Sequence, residues 1–188
     1  MQHLAFTLAL ALASSPGQAL AQAGEPPVPT NAAALRDGLR PAGQGTLRFL
    51  GLRIYDAQLW VSPGFQAAAY ATRPLALELL YHRDFTAKAI AARSIKEMRR
   101  VEPFSDEQAQ RWQQALQAAL PDVKEGDRLL GLYQPGAGAV FQMGGQVVGE
   151  VKDADFSRLF FGIWLSPRTS EPALRQMLIG PPPAGDAP

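Results

Sequence analysis

Three short apolar runs between Gly126 and Val151 are joined by glycine turns, and this pattern constrains the fold more than any other feature of the sequence. The runs are DRLLGLY, AVFQM and QVVGEV, and their connections are residues 134–138 and 144–145. Glycine-rich tight turns between short apolar runs are typical of antiparallel hairpins. This part of the chain therefore predicts three consecutive antiparallel strands.

Two earlier segments also have the two-residue period of strands with one buried face. Residues 46–61 (TLRFLGLRIYDAQLWV) alternate apolar and polar side chains in pieces, with Gly51 and Asp56 as candidate turn or bulge positions. Residues 75–81 (LALELLY) follow the same period, and one face of that strand carries Leu75, Leu77, Leu79 and Tyr81. Both segments therefore predict strands.

Four further segments have helical spacing and begin at residues that favour helix starts. The expected N-caps are Thr86, Ser105 and Asp153, and Ser170-Glu171-Pro172 opens the fourth helix. Ser105 and Gln108 have the spacing of a capping box, and Pro121 ends that helix. The expected buried stripes are Ile90/Ser94/Met98/Val101, Ala109/Trp112/Leu116/Leu120, Phe156/Leu159/Phe160/Ile163 and Leu174/Met177/Leu178.

The elements are therefore ordered as strands, helices, strands and helices. This segregation favours an α+β fold, in which helices cover one side of an antiparallel sheet, over alternating βαβ units. A chain of 188 residues is expected to form one such domain.

The two ends of the chain have a different composition. Residues 2–13 (QHLAFTLALALA) are apolar but shorter than the ~20 residues that cross a bilayer as a helix. Ala19 and Ala21 then supply the small residues that precede a signal-peptidase cut after Ala21. We expect residues 1–21 to be a secretory signal peptide, rather than an apolar terminal helix, and the protein to be exported to the periplasm. Residues 22–34 and 181–188 are rich in Pro and small residues and are expected to be a flexible linker and a disordered tail.

Charge and composition exclude several classes of function. The 18 Lys and Arg against 17 Asp and Glu give a net charge of +1, too small for the cation excess that nucleic-acid binding uses. With 0 cysteines, disulfides, thiolate nucleophiles and cysteine metal sites are absent. His82 is the one histidine outside the signal peptide, so no metal site is expected. No phosphate-binding loop or Gly-x-Ser-x-Gly motif occurs, and no cofactor is expected.

Four blocks of sequence carry a family resemblance through their order and spacing. They are residues 51–61 (GLRIYDAQLWV), residues 79–84 (LLYHRD), Gly126-Asp127 before a strand, and residues 160–165 (FFGIWL). Together they resemble the bacterial chalcone isomerase-like proteins over residues 35–180. The resemblance implies an open-faced β-sandwich, in which a helical layer forms a cleft against one face of a large antiparallel sheet.

The resemblance does not extend to the catalytic residues of the plant enzymes of this family. Plant chalcone isomerases cyclise a chalcone to a flavanone with an arginine, a threonine, a tyrosine and an asparagine. The aligned positions are Leu50 for the threonine, Phe85 for the tyrosine, Ala92 for the asparagine and the neighbourhood of Gly38 for the arginine. The hydroxyl and amide groups of that mechanism are therefore missing, and a surviving arginine alone would be a weak catalyst.

Other members of that family are not enzymes and hold a fatty acid in the cleft, with its carboxylate clamped by arginine and tyrosine. The candidate ligand-binding residues here are Arg36, Arg40, Tyr55, Tyr81 and Arg93. Arg93 belongs to a cationic helix that is an anion clamp, a partner surface or a solvated face, and we favour the solvated face.

Other polar side chains have two interpretations. His82 is either a general base or, as its position opposite Tyr81 in the strand favours, a histidine on the sheet surface. Arg48 and Arg53 point either to water, which is favoured, or into the cleft as ligand hooks. Arg83-Asp84 is expected to be an exposed ion pair.

Three functional hypotheses follow. The first is an exported, non-catalytic protein that binds a small apolar or fatty-acid-like ligand in the cleft. The second is an isomerase, an intramolecular lyase with a rearranged site around Arg36, Arg40 and Tyr81. The third is an envelope protein-interaction module whose cleft is filled by its own side chains. A cleft of ~300 Å³ or more would favour ligand binding over a filled cleft.

Overall fold

Six strands form one antiparallel sheet in which every strand pairs with its neighbours along the chain. The computed structural model describes residues 36–179, so the predicted signal peptide, linker and tail lie outside the described residues. The strands are β1 (Arg40–Phe49), β2 (Leu52–Val61), β3 (Leu75–Tyr81), β4 (Arg128–Gln134), β5 (Gly138–Met143) and β6 (Gln146–Val151). The predicted antiparallel sheet is confirmed.

Four helices follow the strands in the two predicted groups. They are α1 (Ala87–Val101), α2 (Asp106–Ala119), α3 (Ala154–Leu165) and α4 (Pro172–Ile179), with a short 3-10 helix at Ala67–Thr72 that the sequence did not predict. The side chains of Thr86, Ser105 and Asp153 accept hydrogen bonds from the first turns of α1, α2 and α3. The three predicted N-caps are confirmed, and each satisfies a backbone N–H that the helix leaves unpaired.

The helices cover one face of the sheet and bury a single large core against it. Phe141 of β5 meets Phe160 of α3 edge to face, with ring centroids 5.5 Å apart. The predicted stripes of α1, α2 and α3 contribute to this core. Met177 is an exception to the stripe predicted for α4, since 46% of it is exposed.

Two glycines allow helices to approach the sheet more closely than a side chain would permit. A Cβ atom at Gly43 of β1 would lie 2.2 Å from the carbonyl oxygen of Met177 in α4. At Gly149 of β6 it would lie 2.3 Å from the carbonyl oxygen of Ala119 in α2. β1 begins at Arg40, before the predicted start at Thr46. Its glycines weaken the strand pattern in the sequence, but tertiary packing requires them.

The strand register corrects the interpretation of Asp56. Leu50 and Gly51 form the β1–β2 turn, whereas Asp56 lies inside β2 and pairs with Thr46 of β1. Gly51 is confirmed as a turn residue with φ +79°. Asp56 tolerates a strand because its carboxylate accepts hydrogen bonds from three neighbouring side chains.

The sheet face opposite the helices carries a small second cluster. Ala76, Leu130, Leu132 and Val140 are buried there, with Leu39 and Trp60 packed against them. Trp60 therefore lies outside the main core. Within residues 36–179, no helix is long and apolar enough to cross a membrane.

Candidate functional site

An apolar cleft of about 350 Å³ lies between the sheet and the helices. Its sheet wall comes from the adjoining parts of β1, β2, β3 and β4, and its helical wall from α1 and α3. The apolar lining includes Leu47, Phe49, Ile54, Leu79, Phe85, Ile90, Phe160 and Ile163. The volume lies within the range of small-molecule sites, so the described side chains do not fill this cleft.

Tyr55 and Tyr81 lie on the sheet wall of the cleft, and they are neighbours across β2 and β3. Their rings meet edge to face with centroids 6.0 Å apart. The Tyr55 hydroxyl accepts a hydrogen bond of 2.9 Å from Nε1 of Trp164 in α3, which leaves its own proton available to donate. Burial raises the pKa of both tyrosines well above the usual value, so both hydroxyls are donors at neutral pH.

Arg93 lines the same cleft from α1, and its guanidinium is tied to Glu97 one turn later. Glu97 Oε1 lies 2.9 Å from Nη2 of Arg93, and Oε2 lies 3.3 Å from Nε of Arg100. Glu97 is only 5% exposed, and a buried carboxylate is stable when cations flank it. Arg93 is therefore a half-exposed cation whose charge is partly neutralised by a carboxylate in the cleft wall.

The structure brings together three of the five predicted ligand-binding residues, which are Tyr55, Tyr81 and Arg93. Arg36 does not join them, because it lies on the opposite face of the sheet. There it pairs with Glu78 at 3.3 Å and stacks over the Trp60 ring at 4.8 Å. Arg40 is exposed at the start of β1 and does not line the cleft.

Two residues of the site were not found from the sequence. Glu97 follows Arg93 by four residues and precedes Arg100 by three, so the ion pairs could have been inferred from helical spacing. No pattern in the sequence indicated that Glu97 would be buried against the cleft. The hydrogen bond from Trp164 to Tyr55 joins residues 109 positions apart, and only the tertiary fold shows it.

The positions aligned with the isomerase residues are scattered. Phe85 lines the cleft and Ala92 is exposed on α1 outside it. Leu50, aligned with the threonine, is 86% exposed in the β1–β2 turn. These three positions therefore do not form a constellation of the isomerase type.

The outer face of the sheet carries a separate polar cluster. Asp56 accepts hydrogen bonds from Thr46 at 2.6 Å and Arg53 at 2.8 Å, and its Oδ2 lies 2.8 Å from Nε2 of His82. Burial by itself would raise the pKa of Asp56, but these hydrogen bonds lower it to about 2. His82 is therefore a sheet-surface residue held by a carboxylate, as its position opposite Tyr81 predicted.

The other cations near this face have ordinary roles. Arg48 and Arg53 are exposed on the side opposite the cleft, as favoured from the sequence, and line an outer groove.

The predicted ion pair between Arg83 and Asp84 is wrong, because Asp84 binds Nζ of Lys124 at 3.0 Å instead. Asp84 also accepts a hydrogen bond from the backbone N–H of Glu125, so it ties the β3–α1 connection to the loop that precedes β4. Among residues 36–179, no group of His, Asp or Glu side chains could hold a metal ion.

The fold of this chain is similar to that of a solved plant protein, and part of its sequence is similar to that of a bacterial protein. The crystal structure of an Arabidopsis thaliana fatty-acid binding protein superposes with a TM-score of 0.56 at 13% identity, covering 76% of this chain and 87% of that one. An uncharacterized protein of Haemophilus influenzae is 32% identical over 108 residues. That alignment covers 57% of this chain and 52% of the relative, so it spans about half the relative's length.

The family model described as chalcone isomerase-like matches residues 27–180. This range includes all six strands, all four helices and the whole lining of the cleft. The fold and the family expected from the four sequence blocks are confirmed. The chain belongs to the chalcone isomerase-like family.

Proposed function

We propose that this protein is a non-catalytic binder of a small apolar molecule with an anionic head, such as a fatty acid, in the cleft between sheet and helices. The observation that carries the proposal is an apolar space of about 350 Å³ with two tyrosines in its wall, the buried Tyr81 and the half-buried Tyr55, and Arg93 beside them. Hydrophobic lining with a few convergent polar groups is the usual composition of a small-molecule site.

Three polar groups of the cleft suit a carboxylate, although the lining also includes the carboxylates of Glu97 and Glu171. Tyr55 and Tyr81 are neutral donors, and Arg93 adds a cationic donor. Because Glu97 already neutralises part of the charge of Arg93, the tyrosines supply the larger share of head-group binding. Their hydroxyls lie in a largely apolar wall, where a hydrogen bond to a charged acceptor is stronger than in water.

The likeness to a fatty-acid binding protein supports the proposal at the level of the fold. That protein is described as a fatty-acid binding protein, and the present chain has an open cleft of ligand size between its sheet and helices. The residues that would clamp the head group are argued from this chain's own contacts.

Native mass spectrometry of protein purified without detergent tests this function, followed by denaturing extraction of whatever is bound. We expect a stoichiometric fatty acid or similar amphipathic molecule in the extract. A protein that stays apo, and that takes up no added fatty acid, would contradict the proposal. Turnover of a chalcone-type substrate above background would support the isomerase instead.

The double variant Tyr55→Phe/Tyr81→Phe is expected to bind a fluorescent fatty acid about 10- to 100-fold more weakly, because two donors to a charged head group are lost. Arg93→Ala should weaken binding less, since Glu97 already shares that charge. Tyr133→Phe is the matched control, because the Tyr133 hydroxyl is likewise in the core but donates to the carbonyl of Ala71 outside the cleft. Equal affinities for the double variant and the control would exclude the tyrosines from head-group binding.

We also propose that the protein is exported to the periplasm after cleavage behind Ala21. The proposal is supported by the apolar run of residues 2–13 and the small residues at positions 19 and 21. The intact mass of protein recovered from the periplasmic fraction should correspond to a chain that begins at Gln22. Recovery of the full-length chain in the cytoplasm would contradict export.

A further inference from the structure

The tip of the β1–β2 hairpin exposes three large apolar side chains to solvent. Phe49 is 57% exposed, Leu50 is 86% exposed and Leu52 is 48% exposed. They are close together in the chain, and Phe49 and Leu52 are partners in the strand register. Single exposed apolar residues are ordinary on protein surfaces, but three clustered at one projecting turn indicate a surface that another phase or molecule covers.

The backbone at this tip is unfavourable for the residue it holds. Leu50 has φ +50°, and it is the one non-glycine residue with positive φ between residues 36 and 179. Asn or Gly would occupy this conformation with less strain, and both are preferred in two-residue hairpin turns. The chain instead places a bulky apolar side chain at the most projecting position, and such strain is a feature of functional sites.

Two arginines flank the apolar tip. Arg48 and Arg53 face each other across the hairpin in the strand register, and both are exposed. Arg53 pairs with Asp56, whereas Arg48 has no hydrogen bond or ion pair with any residue from 36 to 179. The sequence from Leu47 to Tyr55 contains no acidic residue. The tip therefore combines exposed apolar side chains with two flanking arginines. This combination is complementary to an anionic lipid surface.

The tip is also continuous with the cleft. Leu47, Phe49 and Ile54 belong to the same hairpin and line the apolar space. Phe49 is thus both an exposed residue of the tip and a wall of the site. A surface that covers the tip would lie beside the opening of the cleft.

We propose that the β1–β2 hairpin tip docks on an anionic lipid bilayer. Phe49, Leu50 and Leu52 enter the interfacial region, while Arg48 and Arg53 meet the lipid phosphates. The docking itself depends on the tip alone. The further consequence, that an apolar ligand passes between the bilayer and the cleft, rests on the proposed function.

Co-sedimentation with vesicles tests the docking. The full chain is expected to bind vesicles of equimolar phosphatidylcholine and phosphatidylglycerol, to bind phosphatidylcholine vesicles more weakly, and to lose binding as salt is raised. Leu50→Asn should lower the bound fraction by about tenfold, because a large apolar side chain no longer leaves water. The same substitution should raise the melting temperature, because Asn suits the left-handed conformation. A merely structural role for Leu50 would not produce this opposite pair of effects.

Two further variants complete the test. Arg48→Gln should weaken binding to the anionic vesicles and reduce its salt dependence. Val147→Thr is the matched control, because Val147 is 38% exposed on β6, outside the hairpin. This variant should bind the vesicles as the unaltered protein does.

Several outcomes would overturn the docking. These are absence of binding to anionic vesicles, unchanged binding by Leu50→Asn, and self-association in solution that Leu50→Asn abolishes. The last would show that the tip contacts a second copy of the chain. Failure of the proposed function would be seen separately, as vesicle binding by a protein whose cleft takes up no fatty acid.

Discussion

Substitution of Ala89 by tryptophan is expected to abolish ligand uptake while the fold stays intact. Ala89 lines the cleft from the first turn of α1, and its side chain is exposed. An indole at this position would occupy the opening of a space of about 350 Å³ without entering the main core. We expect the affinity for a fluorescent fatty acid to fall by about 100-fold or more, which corresponds to about 2.7 kcal/mol.

The same substitution three residues later provides the control. Ala92 is also exposed on α1, but it does not line the cleft. Ala92→Trp should therefore keep the affinity of the unaltered protein, and both variants should keep its melting temperature within a few degrees. If Ala89→Trp binds the probe normally, the ligand site lies elsewhere and the proposed function is wrong.

Replacing Gly43 with alanine is expected to produce the largest loss of stability among the substitutions considered. The new Cβ atom would lie 2.2 Å from the carbonyl oxygen of Met177 and 2.5 Å from that of Leu178. Both obstructing atoms belong to the backbone of α4, so relief requires the whole helix to move away from β1. We expect a loss of about 3 kcal/mol in the free energy of unfolding, measured by urea denaturation.

Gly45→Ala is the comparison variant for Gly43→Ala. This glycine lies two residues later on β1, where the Cβ atom would meet side-chain atoms of Leu174 and Met177 at 2.8 and 3.0 Å. Leu174 Cδ1 and Met177 Cε can move by side-chain rotation, and only Met177 Cβ is fixed to the backbone, so the expected loss is about 1 kcal/mol. Equal losses for the two variants would show that α4 does not constrain β1 as the structure indicates.

Local patterns in the sequence were sufficient to predict most of the elements. Period-two alternation gave β2 and β3, and glycine turns gave the β4–β5–β6 arrangement. The caps at Thr86, Ser105 and Asp153 were found because each depends on a hydrogen bond within three residues. Such short-range interactions can be inferred from the sequence of one chain.

The first half of β1 and the composition of the site depend on long-range contacts instead. In the sequence pattern Gly43 disfavours a strand, and only the fold shows that α4 packs against it. Arg36 and Arg40 were placed near the site by alignment, but the alignment does not show on which face of the sheet the chain enters β1. Tyr55, Tyr81 and Arg93 line one cleft, whereas the burial of Glu97 required the fold.

The neighbour-to-neighbour strand order has a consequence for how the molecule assembles. Strands β1 to β3 are close in sequence, as are β4 to β6, while the β3–β4 pairing spans residues 82–127. We expect the pairings within each set to form first, and the two sets to join last, because the β3–β4 pairing closes a longer loop than the others. The cleft draws its walls from both sets and from the helices between and after them. It therefore exists only after that last joining step, and a bound ligand would stabilise the completed fold over every partly assembled form.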